Sequence, residues 1–316
     1  MSFKRRKFIW LSTLSAINTG VIGCINRQIS SNSSSVTGEE KFATPTNISQ
    51  ESVIAVNPPK KKILLRFVSV ADTGTGTKGQ YEVAKAMTNY HSKNPYDLVV
   101  LAGDNIYNNG EMEKIQAVFE RPYGDLLKAG VKFQAVLGNH DIRTANGDLQ
   151  VKYPGFNMKG RYYTYTRDKV QFFALDTNDI FTNKQQKDWL EKELSNSKAL
   201  WKIVYGHHPI YASGVYGSNP AFIKMFSPLF QKYGVQLYIN GHEHHYERTT
   251  SINGTTYLIC GAGAGNRPVG QNKWTAYSSS DLSFAAYEVY EDRIQVSGIG
   301  INNNVFDKGV ILPKSV

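Results

Sequence analysis

Val235-Gln236-Leu237-Tyr238-Ile239-Asn240-Gly241-His242-Glu243-His244 is the stretch that decides how this chain is read. A short apolar run followed by a glycine reads as a buried strand. Histidines at i and i+2 just beyond such a strand can turn both imidazoles into one pocket and bind a metal ion. His-x-His is also a common surface pattern, so its meaning depends on what the rest of the chain brings to it.

Working outward, four upstream runs end in the same way. Residues 63–70 lead into Ala71-Asp72-Thr73-Gly74, and residues 97–101 into Ala102-Gly103-Asp104-Asn105-Ile106-Tyr107. Residues 132–137 lead into Gly138-Asn139-His140-Asp141, and residues 201–205 into Gly206-His207-His208-Pro209. Between them lie helix-like stretches at 79–91, 111–119, 123–128, 184–195 and 221–233; Trp189, Leu190 and Leu194 mark the apolar side of the fourth. Residues 162–166 and 170–175 read as a strand pair joined by Arg167-Asp168-Lys169, after an irregular polar stretch at 142–161. The strands expected at 255–260, 285–290 and 293–297 form an antiparallel finish with a tight turn at Glu291-Asp292. Ligands of α/β folds sit beyond the carboxyl ends of strands, so the strand-end loops are expected to converge at one edge of a sheet.

Those loops carry Asp72, Asp104, Tyr107, Asn139, His207, His242 and His244. The set mixes hard oxygen and borderline nitrogen donors without a thiolate, which suits Fe, Mn or Zn better than Cu(I) or a structural zinc. It is too large for one tetrahedral ion. It fits two ions if one carboxylate bridges them, and paired catalytic ions sit about 3.5–4 Å apart. Each residue also has a simpler reading. Asp72 and Asp104-Asn105 can be turn formers, Asn139 can steady a loop, and Tyr107 is one of 19 tyrosines, any of which can serve packing. What outweighs these is the ordered recurrence of the loops. His208 and His245 read as hydrogen-bonded neighbours of the ligands, and Cys260 as a buried, inert thiol. Arg161, Tyr162, Asn178 and Arg267 are candidate substrate contacts. The glycine-rich run at 261–265 lacks the Lys-Ser/Thr of a phosphate-binding P-loop and reads as close packing near the site.

The blocks Asp72-Thr73-Gly74, Gly103-Asp104-Asn105-Ile106-Tyr107, Gly138-Asn139-His140-Asp141, Val204-Tyr205-Gly206-His207 and Gly241-His242-Glu243-His244 resemble, in order, those of the calcineurin-like metallophosphoesterases. Tyr107 three residues after Asp104, together with His245-Tyr246-Glu247-Arg248 and residues 261–268, is similar to the purple acid phosphatase branch, in its small single-domain, tartrate-resistant form. The resemblance implies an α/β fold: a four-layer αββα sandwich of two mixed β-sheets flanked by helices. It implies that Asp72, Asp104, Tyr107 and His244 hold a first ion, Fe(III), with Asp104 bridging. Asn139, His207 and His242 would complete a second site for Fe(II), Zn(II) or Mn(II). It further implies His140 as the acid that meets the leaving oxygen, Asp141 as the residue that orients it, and a hydroxide held by the ions as nucleophile. The implied activity is acid phosphatase hydrolysis of phosphate monoesters. A phosphodiesterase or nucleotidase on the same site is the alternative within the class, and a non-catalytic, metal- or ligand-binding surface lipoprotein the alternative outside it.

Composition bounds the rest. Hydrophobic residues at 41% and charged residues at 20% of 316 are ordinary for a globular protein. The net charge is +10, and Lys4, Arg5, Arg6 and Lys7 contribute four of those charges. What remains favours anionic substrates without forming the basic stripe of a nucleic-acid binder, so a small phosphorylated substrate and no nucleic acid are expected. Two cysteines exclude a disulfide scaffold and a Cys-rich zinc site. Residues 1–24 read as an export signal. The run Lys4-Arg5-Arg6-Lys7-Phe8-Ile9 resembles a twin-arginine signal, with Lys4 in place of the usual Ser or Thr, and Val21-Ile22-Gly23-Cys24 resembles a lipoprotein box. Residues 25–60 read as a flexible linker and 61–316 as the metallophosphoesterase domain. The expected protein is an exported monomer of a bacterial periplasm or envelope, meeting the membrane only through a lipid on Cys24.

Overall fold

Leu65–Val70, strand β1, sets the plan of the molecule. Leu65, Phe67 and Ala71 face one apolar cluster, while Val68 and Val70 face another. A strand buried on both sides must be covered on both sides. The computed structural model describes residues 62–180 and 183–313. The export signal, the lipoprotein box at Cys24 and the linker fall outside them. Among the described residues no helix is long and apolar enough to cross a membrane.

The remaining strands are β2 (Leu98–Leu101), β3 (Lys132–Ala135), β4 (Tyr163–Arg167), β5 (Val170–Ala174), β6 (Trp201–Tyr205), β7 (Leu237–Asn240), β8 (Tyr246–Thr249), β9 (Thr256–Cys260), β10 (Thr275–Ser279), β11 (Ser283–Val289), β12 (Ile294–Gly300) and β13 (Val305–Ile311). They form two sheets, ordered β13-β12-β11-β1-β2-β3 and β10-β8-β9-β7-β6-β5-β4. Both are mixed. β1, β2 and β3 run parallel while β11, β12 and β13 add antiparallel neighbours. β5, β6, β7 and β9 are parallel, with antiparallel β4, β8 and β10 outside them.

The sheets face each other across a core in which Phe67 of β1 meets Phe172 of β5 edge-on, ring centres 5.3 Å apart. Helices α1 (Lys78–Lys93) and α2 (Gly124–Lys128) cover the outer face of the first sheet. Helices α4 (Lys184–Asn196) and α5 (Pro220–Tyr233) cover that of the second. The four layers, helix-sheet-sheet-helix, are the expected ones. α5 follows directly from its sequence. Asn219 caps it by accepting from Ala221 N and Phe222 N, Pro220 supplies a pre-set first φ, and Gly234 ends it in the left-handed region. Phe222, Phe226 and Phe230 recur at helical spacing on its buried side, each worth roughly 1.5–3 kcal/mol of burial.

The structure departs from the sequence reading in four places. The helix expected at 111–119 is a short 3-10 turn, Met112–Lys114, followed by a π-type turn, Gln116–Glu120. The irregular stretch at 142–161 contains a one-turn helix, α3 (Asp148–Lys152). β8, β10 and β13 were not expected. Their polar or interrupted patterns give no apolar alternation, and they are strands because the sheets supply partners. Finally, the loops that carry the candidate site residues do not converge at the edge of one sheet. β1, β2 and β3 belong to one sheet and β6 and β7 to the other, so the site lies across the matching ends of both.

Candidate active site

Three of the residues picked out by sequence sit on backbone that side chains rarely adopt. Asp72, Asp104 and His242 have φ of 56°, 52° and 69°. Such positions cost about 1–3 kcal/mol each and persist where the surrounding structure holds them for a use. Here they turn each side chain off its strand end and inward. Gly241 makes the approach possible, since a Cβ there would lie 2.4 Å from Asp72 Oδ2.

The Tyr107 hydroxyl marks one donor group. It is 3.0 Å from Asp72 Oδ1, 2.8 Å from Asp104 Oδ2 and 3.1 Å from His244 Nε2. The second group surrounds Asn139 Oδ1, which is 3.1 Å from His207 Nε2 and 2.9 Å from His242 Nδ1. Asp104 belongs to both. Its Oδ2 faces Tyr107, whereas its Oδ1 lies 3.5 Å from His207 Nε2 and accepts the His140 N–H at 2.9 Å. Asp72, Asp104 and His207 also offer ligand atoms that all lie within 4.8 Å of one another.

Two of the donors are aimed by a bond behind them. His207 Nδ1 lies 3.0 Å from the Ala102 carbonyl, which leaves Nε2 for the site. Asp72 Oδ2 accepts the His242 N–H at 2.8 Å, which leaves Oδ1. Asp72 and Asp104 are buried, and their ion-pair partners among the described residues are histidines. Two buried carboxylates in such company call for positive charge. Burial disfavours charge on Asp104, yet His207 and the His140 N–H hold it well below the usual carboxylate range. Burial likewise disfavours charge on His207, but Asp104 carries it up to about 10. Burial and then His207 push His242 down to about 4. Burial, Asp72 and Asp104 raise Tyr107, keeping its phenol protonated unless a cation sits among these donors. The donor set therefore fits hard or borderline cations, and Asp104 presents one oxygen to each group.

The expectation that Asp141 orients His140 needs correction. The His140 ring is held by the Asn108 carbonyl, 2.7 Å from Nδ1. Asp141 is fully buried and accepts the backbone N–H groups of Asn105, Ile106 and Gly138, as well as Gln150 Nε2. It ties the second strand-end loop to the third, where backbone donors would otherwise be left unpaired. His140 keeps its Nε2 toward the site, 4.0 Å from Asp104 Oδ2.

Other sequence readings sort themselves by contact. His208 is half-buried with Nδ1 2.8 Å from Thr177 Oγ1. Burial and the neighbouring His207 and His242 hold it neutral, at about 2. Burial pushes the Cys260 thiol up to about 12, so it is inert. Arg161 is paired with Asp148 and Asp176, Tyr162 packs against Trp189, and Asn178 bonds to Asp176 and to the Leu137 carbonyl. Of the candidate substrate contacts, Arg267 alone touches a site residue, donating to the His242 carbonyl at 3.2 Å. Sequence reasoning missed Arg143, whose Nη1 donates to the Asn108 carbonyl and whose Nη2 lies 3.4 Å from His140 Nε2. A lone arginine in a polar stretch carries no signal that would have found it.

A profile for calcineurin-like phosphoesterases matches residues 65–246, which span every strand-end loop just described. The chain belongs to the calcineurin-like phosphoesterase family. This calcineurin-like phosphoesterase is similar to tartrate-resistant acid phosphatase type 5 of Mus musculus, at 28% identity over 237 residues covering 63% of this chain and 72% of the relative. Among solved structures it overlays on a purple acid phosphatase from yellow lupin (Lupinus luteus) seeds with a TM-score of 0.69 at 19% identity, covering 81% of this chain and 55% of that one. GAP50, described as the anchor in the inner membrane complex of Plasmodium, gives a TM-score of 0.71 at 24% identity, covering 80% of this chain and 90% of that one. Both structural likenesses speak for the fold.

Proposed function

We propose that this calcineurin-like phosphoesterase hydrolyses phosphate monoesters at a two-metal centre, as an acid phosphatase. The observation that carries the reading is the division of Asp104, with Oδ2 toward the Tyr107 group and Oδ1 toward His207 and the Asn139 group. Asp72, Asp104, Tyr107 and His244 would hold the first ion, Fe(III), and Asp104, Asn139, His207 and His242 the second, Fe(II), Zn(II) or Mn(II). When bound, the ions supply Lewis acidity, which activates water at neutral pH and stabilises charge on the phosphoryl oxygens.

The protein's own groups do the rest. The Ala102 carbonyl and the His242 N–H fix which atoms of His207 and Asp72 face the substrate. As the imidazolium, with its Nδ1–H given to the Asn108 carbonyl, His140 delivers its Nε2 proton to the departing oxygen. Arg143 beside it adds positive charge where an anionic ester enters. The curated acid phosphatase relative supports the monoester over the diester.

The test is metal analysis joined to two assays on the same preparation. Two ions per chain are expected, with p-nitrophenyl phosphate cleaved well in preference to bis-p-nitrophenyl phosphate. A preference for the diester would replace the monoester reading. A metal-loaded protein inert toward both would remove the catalytic one.

A further inference from the structure

The β7–β8 loop does more than carry His242 and His244. Glu243, between them, points away from the donor groups and is fully buried. Its carboxylate accepts three successive backbone N–H groups from the loop after β6: Val215 at 3.1 Å, Tyr216 at 2.6 Å and Gly217 at 3.0 Å. Glu247, at the start of β8, accepts the Ser213 N–H and hydroxyl at 2.7 Å each. His245 is enclosed between the two acids, 3.4 Å from Glu247 Oε2. Gly214 is required for the seating, because a Cβ there would come within 2.6 Å of both His245 and Glu243.

Residues 213–217 are thus pinned to the segment that bears the proposed ligands, and the pinning holds an aromatic ring in the open. Tyr216 is 58% exposed, beside Val215 at 62%. Its ring stacks on His242 with centres 4.7 Å apart and 29° between planes. The Arg267 guanidinium lies over the same ring at 5.0 Å while donating to the His242 carbonyl. A large ring fixed through backbone bonds to a buried acid, stacked on His242 and still more than half exposed is open to a bound molecule beside the site.

We propose that Tyr216, with Arg267 against it, is the wall of the site that receives the leaving group, and that it favours phosphate monoesters of planar aromatic alcohols. Glu243 is the positioning residue that sets this wall. The inference rests on the phosphoesterase reading above and adds the substrate class. The part of the Tyr216 ring that His242 and Arg267 leave exposed supplies the aromatic contact, and the phosphoryl group of the same molecule reaches the donors around His242.

The experiment measures dissociation constants on the metal-loaded full chain for inorganic phosphate, methylphosphonate and phenylphosphonate. Wild-type protein should bind phenylphosphonate about 3- to 10-fold more tightly than methylphosphonate, the size of one aromatic stacking contact. Tyr216→Ala should bring that ratio close to one, and Tyr216→Phe should keep it, because the ring rather than the hydroxyl is used. Glu243→Gln should lower the ratio while inorganic phosphate binding holds. An equal loss for all three ligands in Glu243→Gln would mean that Glu243 acts through His242 and His244 alone, and would overturn its positioning of the wall. A ratio unmoved in Tyr216→Ala would overturn the wall itself. Failure of wild-type protein to bind even inorganic phosphate would instead remove the phosphoesterase reading, and this inference with it.

Discussion

The hydroxyl of Tyr107 lies 2.8 Å from Asp104 Oδ2, and Asp72 and His244 meet the same oxygen. A phenol so placed among carboxylates stays protonated by itself and loses its proton only to a strong cation. Protein loaded with Fe(III) is therefore expected to show a visible phenolate charge-transfer band that disappears in Tyr107→Phe. A band that survives the substitution would take Tyr107 out of the metal's coordination.

His140 is fixed through Nδ1 and not by a carboxylate. His140→Ala should leave metal content intact while the turnover of esters with poor leaving groups falls by roughly 10²–10⁴, the usual range for a general acid. Esters with good leaving groups should lose less, because their oxygen departs without a proton. Equal losses across leaving groups would give His140 a role in binding instead.

Asp141 holds the loops rather than the histidine. Asp141→Ala would leave the buried N–H groups of Asn105, Ile106 and Gly138 without their acceptor. Urea denaturation is expected to report a loss of about 3 kcal/mol or more, with Asp141→Asn losing less because one acceptor oxygen remains. Unchanged stability with altered leaving-group dependence would return Asp141 to the orienting role.

Tyr246 and Arg248 resemble the family's pattern in sequence, and the structure gives them work far from the chemistry. Arg248 Nε and Nη2 grip both oxygens of Asp307 at 2.7 and 2.8 Å, and the Tyr246 hydroxyl donates to the same carboxylate. This joins β8 of one sheet to β13 of the other. Arg248→Met should cost about 3 kcal/mol, and Arg248→Met with Asp307→Leu should cost less than the single changes combined. Strict additivity in that cycle would mean the bridge contributes nothing of its own.

What the sequence made legible follows from burial. β1, β2, β6 and β7 are covered on both faces, so their runs are apolar apart from Arg66, Ser69, Lys202 and Asn240 and their ends are sharp. Asp72, Asp104, His207 and His242 could be picked because each stands immediately after such an end. Asn108 could not, since it orients His140 through a carbonyl that every residue possesses. Nor could Glu243: its partners are backbone N–H groups of residues 215–217, and no side-chain pattern marks them. β13 was hidden for a related reason. Asp307 and Lys308 interrupt its apolar positions, yet β12 pairs with it along its length.

The central claim is that Asp104 belongs to two metal sites at once. Its direct test is metal stoichiometry and phosphatase turnover measured together on wild-type protein and on Asp104→Asn. Two ions per chain are expected in the wild type, with metal and turnover lost together in the variant. Asp104→Asn protein that keeps both ions and wild-type turnover would contradict the account.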